Sequence, residues 1–177
     1  FAGALELAED AYPEQHAMTT YSRFYLAESL RHQGGDDRAR DYYELVEQHT
    51  RPFFAMARAP HTALWMFASA IIHGYDEPDE QLLHDAIVAA HRAIKTAAAW
   101  EKPHLYLVKS IAKYKLAQFD DAIDELNKGL AVSEQPALLD TRKGIPNTRR
   151  ELQQTLKRYE TERATRTLHQ SNHQPDA

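Results

Sequence analysis

Small residues recur along this chain at a fixed helical spacing, and that pattern limits its fold more than any other feature. Ala4 and Ala11 stand seven positions apart, as do Ala39 and Val46, Ala86 and Ala93, and Ala122 and Gly129. Each pair lies in a run whose apolar positions recur at three and four, the period of a helix rather than a strand. In three cases another small residue lies upstream: Ala27 before Ala39, Ala68 before Ala86, and Ser110 before Ala122. Small side chains at matched helical positions let two helices approach closely. Their repetition implies stacked helix pairs, each contacting its neighbours.

The expected helices are 1–12, 18–33, 37–48, 61–74, 79–99, 103–118, 119–132 and 148–168, with no convincing strand. Gly34 and Gly35 permit the positive φ of a helix stop. Asp36 is then placed to cap the next helix by accepting backbone N–H bonds. Pro52 and Pro60 bracket a less regular segment. Within it Phe53 and Phe54 either pack beneath an inserted loop or stand exposed as an anchor. Pro78 suits a first helical turn and closes the acidic turn Tyr75-Asp76-Glu77-Pro78. The tail 169–177 is polar and expected to fray.

A chain of 177 residues that is 43% hydrophobic can bury a sizeable core. Its net charge of −5 disfavours a dedicated nucleic-acid binder. The absence of cysteine removes disulfides, thiolate metal sites and a cysteine nucleophile, and fits a reducing, cytoplasmic setting. No apolar run approaches the roughly 20 residues needed to cross a bilayer. The chain opens inside a helix-like run without an initiator Met, so it is expected to be a piece of a longer protein.

Motifs that carry chemistry are missing. Among ten histidines, His84 and His91 share a helix face two turns apart, too far to chelate one ion without further ligands. His169 and His173 have a chelating spacing, but lie in a tail with no third ligand nearby. Asp36-Asp37 and Asp120-Asp121 begin helices, where carboxylates complement the helix dipole. There is no Gly-rich phosphate loop and no nucleophile elbow. The sequence therefore predicts no catalytic residue, no metal ligand and no cofactor.

Distances between equivalent alanines test the repeat. Ala4 to Ala39 is 35 positions, Ala86 to Ala122 is 36, and Ala39 to Ala86 is 47. Two of these lie near the roughly 34 residues of a tetratricopeptide repeat. The third contains insertions, one in the acidic turn and one within 48–60. The chain here resembles the tetratricopeptide family, an all-α solenoid of helix–turn–helix repeats. Leu26-Ala27, Leu30, Gln33-Gly34, Ala39, Tyr43 and Val46 carry the best match. Tyr106, Ser110, Ala112, Phe119-Asp120-Asp121-Ala122-Ile123, Leu126 and Gly129-Leu130 carry the next. Lys113 departs from the pattern, standing where the family favours an aromatic. The stretched third unit, Trp65 and Ala68 followed by Asp85-Ala86-Ile87, looks like a variant found in large bacterial repeat proteins.

The resemblance implies a half repeat at 1–12, repeats at 17–48, 61–99 and 103–133, and a capping helix at 147–168. Leu152, Leu156 and Tyr159 form the narrow apolar stripe that such a cap requires. The basic surplus of 141–168 then forms a solvated outer face, or a patch for an acidic partner. The resemblance also implies a groove lined by the first helix of each repeat. Carried over to this chain, the groove positions include Tyr21, Phe24, Glu28 and Arg31, then Trp65, Ser69 and His73, then His104 and Tyr114. The cationic residues of the family's carboxylate clamp are largely absent there. The implied function is a non-catalytic scaffold that binds a protein or peptide partner, with no nucleic acid and no membrane. A structural spacer and a regulatory, ligand-sensing domain of a larger signalling protein stand as alternatives. The aromatic groove residues can equally be core between repeats. The sequence leaves the oligomeric state open.

Overall fold

Alanine-rich runs with apolar residues at helical period, punctuated by Gly and Pro, have one economical fold: helices packed on their sequence neighbours. A computed structural model of the protein describes residues 2–13, 16–135 and 145–171. Among the described residues there are eight helices and no strand: α1 (Ala2–Ala11), α2 (Ala17–His32), α3 (Asp36–Phe54), α4 (His61–Gly74), α5 (Glu80–Thr96), α6 (Lys102–Lys115), α7 (Phe119–Ser133) and α8 (Ile145–Ser171). The protein has an all-α helical-repeat fold in which consecutive helices pack on one another. It divides into two compact units, Phe1–Ala97 and Ala98–Ala177, each described by itself. In the first, α1 packs on α2, α2 on α3, α3 on α4 and α4 on α5. In the second, α6 packs on α7 and α8 lies against both.

The spaced small residues sit at these crossings. Ala27, Ala39, Val46, Ala68, Ala86 and Ala93 are fully buried in the first unit, and Ser110, Ala122 and Gly129 in the second. Gly74 belongs with them, because a Cβ there would stand 2.7 Å from Tyr43 Cβ. A Cβ on Gly129 would meet Tyr106 Cβ at 3.0 Å and Leu152 Cδ2 at 3.1 Å. The first pair breaks the pattern. Ala4 and Ala11 are exposed, and α1 instead buries Leu5 and Ala8 against α2. The face that carries Ala4 and Ala11 points away from α2, so periodicity alone picks the wrong side of this helix.

Two helix pairs turn through the same motif. After α2, the Gly34 N–H donates to Arg31 O at 3.0 Å and the Gly35 N–H to Leu30 O at 2.9 Å. After α6, the Ala117 N–H donates to Tyr114 O and the Gln118 N–H to Lys113 O, both at 3.0 Å. These are Schellman turns, in which the residue after the cap adopts a left-handed conformation. Gly34 has φ +76° and Ala117 φ +60°. The two turns lie 83 positions apart, as do Ala27 and Ser110, and Ala39 and Ala122. One register thus relates α2–α3 to α6–α7. The α4–α5 pair is joined by the longer segment 75–79, and Asp79 caps α5 by accepting from the Leu82 N–H at 2.7 Å.

Local expectation fails in two other places. The N-cap of α3 is Gly35 rather than Asp36, because the preceding Schellman turn delivers the chain one residue early. And α3 does not stop near Gln48; it continues through Pro52 to Phe54. Proline removes one intrahelical bond, which favours ending the helix before it. Tertiary contacts hold the last turn regardless. The Phe54 ring stacks on Phe67 at 4.8 Å, and Arg92 donates to the Phe54 carbonyl at 2.6 Å and to that of Met56. Phe53, by contrast, is partly exposed.

Candidate functional site

In the first unit the first helices of two successive pairs, α2 and α4, meet around Tyr43 of α3. Phe24 is buried at the centre, edge-on to Trp65 at 5.4 Å, to Tyr25 at 5.5 Å and to Tyr43 at 6.4 Å. The Tyr43 hydroxyl donates to Glu28 Oε1 at 2.6 Å, while Arg31 donates to Glu28 Oε2 at 3.1 Å. His73 lies 5.7 Å from the Tyr43 ring. Burial first, and then the neighbouring Glu28 carboxylate, push the Tyr43 phenol far above its ordinary range. It therefore stays a neutral donor to Glu28.

Of the groove residues implied by the sequence, Glu28, Arg31, Trp65 and His73 come together here, partly exposed. Tyr21 joins them through Tyr25, ring to ring at 5.9 Å. Phe24 and Ser69 are buried. Phe24 supports the surface from beneath, and Ser69 lies on the inner side of α4. Tyr43 was not among the implied groove residues because it sits on a second helix. Its place four residues after Ala39, on the face of the close crossing, is the signal that points to it.

In the second unit His104 and Tyr114 are partly exposed. Tyr114 stacks on Tyr159 of α8 at 3.8 Å and meets Phe119 edge-on at 5.1 Å. The capping helix therefore covers its ring, together with Leu107 and Leu126, and adds its own Leu152 to this core. Beside this core Lys109, Lys113 and Lys128 converge on the single oxygen Glu125 Oε1, at 3.0, 3.3 and 3.2 Å. Burial pushes the Glu125 carboxyl up, but Lys109, Lys128 and Lys113 outweigh it, and the group titrates below the usual carboxylate range. In the 83-residue register Lys109, Lys113 and Glu125 correspond to Leu26, Leu30 and Tyr42, which are apolar packing residues of the first unit. An ion cluster thus replaces a patch of apolar packing. This accounts for Lys113 at a position where an aromatic was expected.

The basic surplus of α8 is not simply a solvated face. Arg149 pairs with Glu134 at 3.0 Å, Arg163 with Asp120 at 2.8 Å, and the Arg166 guanidinium lies 4.2 Å from the Phe119 ring centre. These cations tie α8 to α7. Arg142 and Lys143 lie outside the described residues, as does His173, so the His169–His173 spacing does too. His84 approaches Glu80 at 3.6 Å. Among the described residues no three His, Asp or Glu side chains gather in a metal-holding group, and no helix is long and apolar enough to cross a membrane. Comparison with protein-family models, curated proteins and solved structures found no match to this chain.

Proposed function

We propose that this chain is a tetratricopeptide-like interaction module that binds a peptide or partner helix of another protein. The observation that carries the reading is the convergence of α2 and α4 side chains in the first unit. Tyr21, Arg31, Trp65 and His73 are partly exposed and rest on a buried support of Phe24 and Tyr43. Aromatic and guanidinium groups fixed on rigid helices suit an apolar-anchored segment, because little side-chain freedom is lost on contact. Glu28 is already charge-paired with Arg31 and hydrogen-bonded by Tyr43, so the surface favours an apolar or neutral segment over a strongly charged one. The setting is cytoplasmic, and the binding surface acts without catalysis.

The test is peptide selection on the immobilised chain, followed by titration of the selected peptides into a Trp100→Phe background. Trp65 is then the sole tryptophan, since the chain has two. Binding is expected to change Trp65 emission and to weaken by about tenfold or more in Tyr21→Ala or Arg31→Met, the range of a hot-spot truncation. Selected peptides that bind both folded variants like the parent, with Trp65 emission unchanged, would refute the reading.

A further inference from the structure

A cleft apart from the α2–α4 surface lies where the α3–α4 connection meets the end of α5. An open cleft of about 550 Å³ is lined by Ala57, Arg58, Ala59, Pro60 and Leu64 on one side and by Arg92, Lys95 and Thr96 on the other. Three of these residues are cations and none is an acid. The sequence makes this a regional property. No Asp or Glu occurs between Glu47 and Asp76, nor between Asp85 and Glu101, in a chain whose acids outnumber its Lys and Arg by 26 to 21. The fold brings the two acid-free stretches together.

The cations exceed what the local backbone needs. Arg92 donates to the Phe54 and Met56 carbonyls and so closes the end of α3. Lys95 stands in the last turn of α5. A helix C-terminus carries roughly half a negative charge, so the two helix ends offset about one of the three cations. About two positive charges remain. Arg58 and Lys95 are exposed and form no ion pair with a described residue.

We infer that this cleft binds a phosphate-bearing small molecule. Its phosphate would lie between the Arg58 guanidinium and the Lys95 ammonium, with the Thr96 hydroxyl as a further donor. An arginine fork and a lysine point charge together match a tetrahedral dianion better than a single carboxylate. The volume falls within the range of small-molecule sites and exceeds what a bare ion fills. Ala57, Ala59, Pro60 and Leu64 supply the apolar wall on which the organic part would rest.

The test is a titration of the isotope-labelled full chain with inorganic phosphate and with phenyl phosphate, followed through backbone amide signals at low ionic strength. Saturable shifts are expected at 57–59 and 92–96, with phenyl phosphate binding more tightly than inorganic phosphate. Arg58→Gln/Lys95→Gln should weaken phenyl phosphate by about tenfold or more. Arg150→Gln/Lys157→Gln, which alters two exposed cations of α8, should leave binding unchanged. Arg92 is kept in both variants because it holds backbone carbonyls. Shifts scattered over surface cations, no saturation, equal binding of the two phosphates, or an unaffected Arg58→Gln/Lys95→Gln variant would each overturn the inference. The wild-type shift map decides the matter even if the double variant folds poorly.

Discussion

The two Schellman turns offer a matched pair of perturbations with opposite signs. Ala117 holds φ +60° at the end of α6, and Gly34 holds φ +76° at the corresponding place after α2. A residue with a Cβ costs about 1–2 kcal/mol in the left-handed region, while glycine costs about 0.5–1 kcal/mol in lost chain entropy. Ala117→Gly should therefore stabilise the second unit by about 0.5–1 kcal/mol, and Gly34→Ala should destabilise the first by a similar amount. No atom lies within 4 Å of a Cβ built on Gly34, so its change reports the backbone conformation and not a clash. The two tryptophans separate the units, Trp65 in the first and Trp100 in the second. Trp65→Phe leaves a reporter for the second unit, and Trp100→Phe one for the first. In units of this size about 1 kcal/mol moves the melting midpoint by ~4–8 °C. An Ala117→Gly variant that melts at or below its parent, or a Gly34→Ala variant that melts like its parent, would refute the motif as the source of that energy.

Two further outcomes follow from the packing and the charges. Ala39→Leu and Ala122→Leu, at sites that are 1% and 0% exposed, should lower stability by about 1–3 kcal/mol through overpacking, whereas Ala4→Leu and Ala11→Leu should stay within about 0.5 kcal/mol; equal thermal melts for all four would show that buried crossings are not what the spacing encodes. Glu125 titrates lower in the folded chain than in the unfolded one, so its contribution is present above the unfolded value of about 4.3 and is lost as pH falls through the folded value. Urea titrations of the second unit across the acid range should show stability falling with pH, and Glu125→Gln should flatten that slope; an unchanged slope would mean that other carboxylates carry it.

The helices were legible because their signals are local. The period of apolar residues, Gly34-Gly35 and Pro103 each act within one or two turns, and the structure places α4 on the expected span 61–74. The close crossings were legible for the same reason, since a small residue is small wherever the chain goes. The site was legible only in part. The resemblance supplied first-helix positions, of which Glu28, Arg31, Trp65 and His73 gather at one surface, while Phe24 and Ser69 turn inward.

By itself, then, the sequence determined that this chain forms helices, where most of them turn, and three of the small-residue pairs at close crossings. Tertiary structure alone decided the rest. It selected Leu5 and Ala8 over Ala4 and Ala11 as the covered face of α1, because coverage depends on which neighbour is present. It carried α3 through Pro52, because the Phe54–Phe67 stack and the Arg92 bonds outweigh one missing hydrogen bond. It converted Lys113 from an anomaly into a partner, together with Lys109, of Glu125, which lies 12 and 16 positions away, and it gathered three cations from two acid-free stretches into one cleft. Charge pairing and burial are set by what lies across the fold, and no local pattern along the chain encodes that.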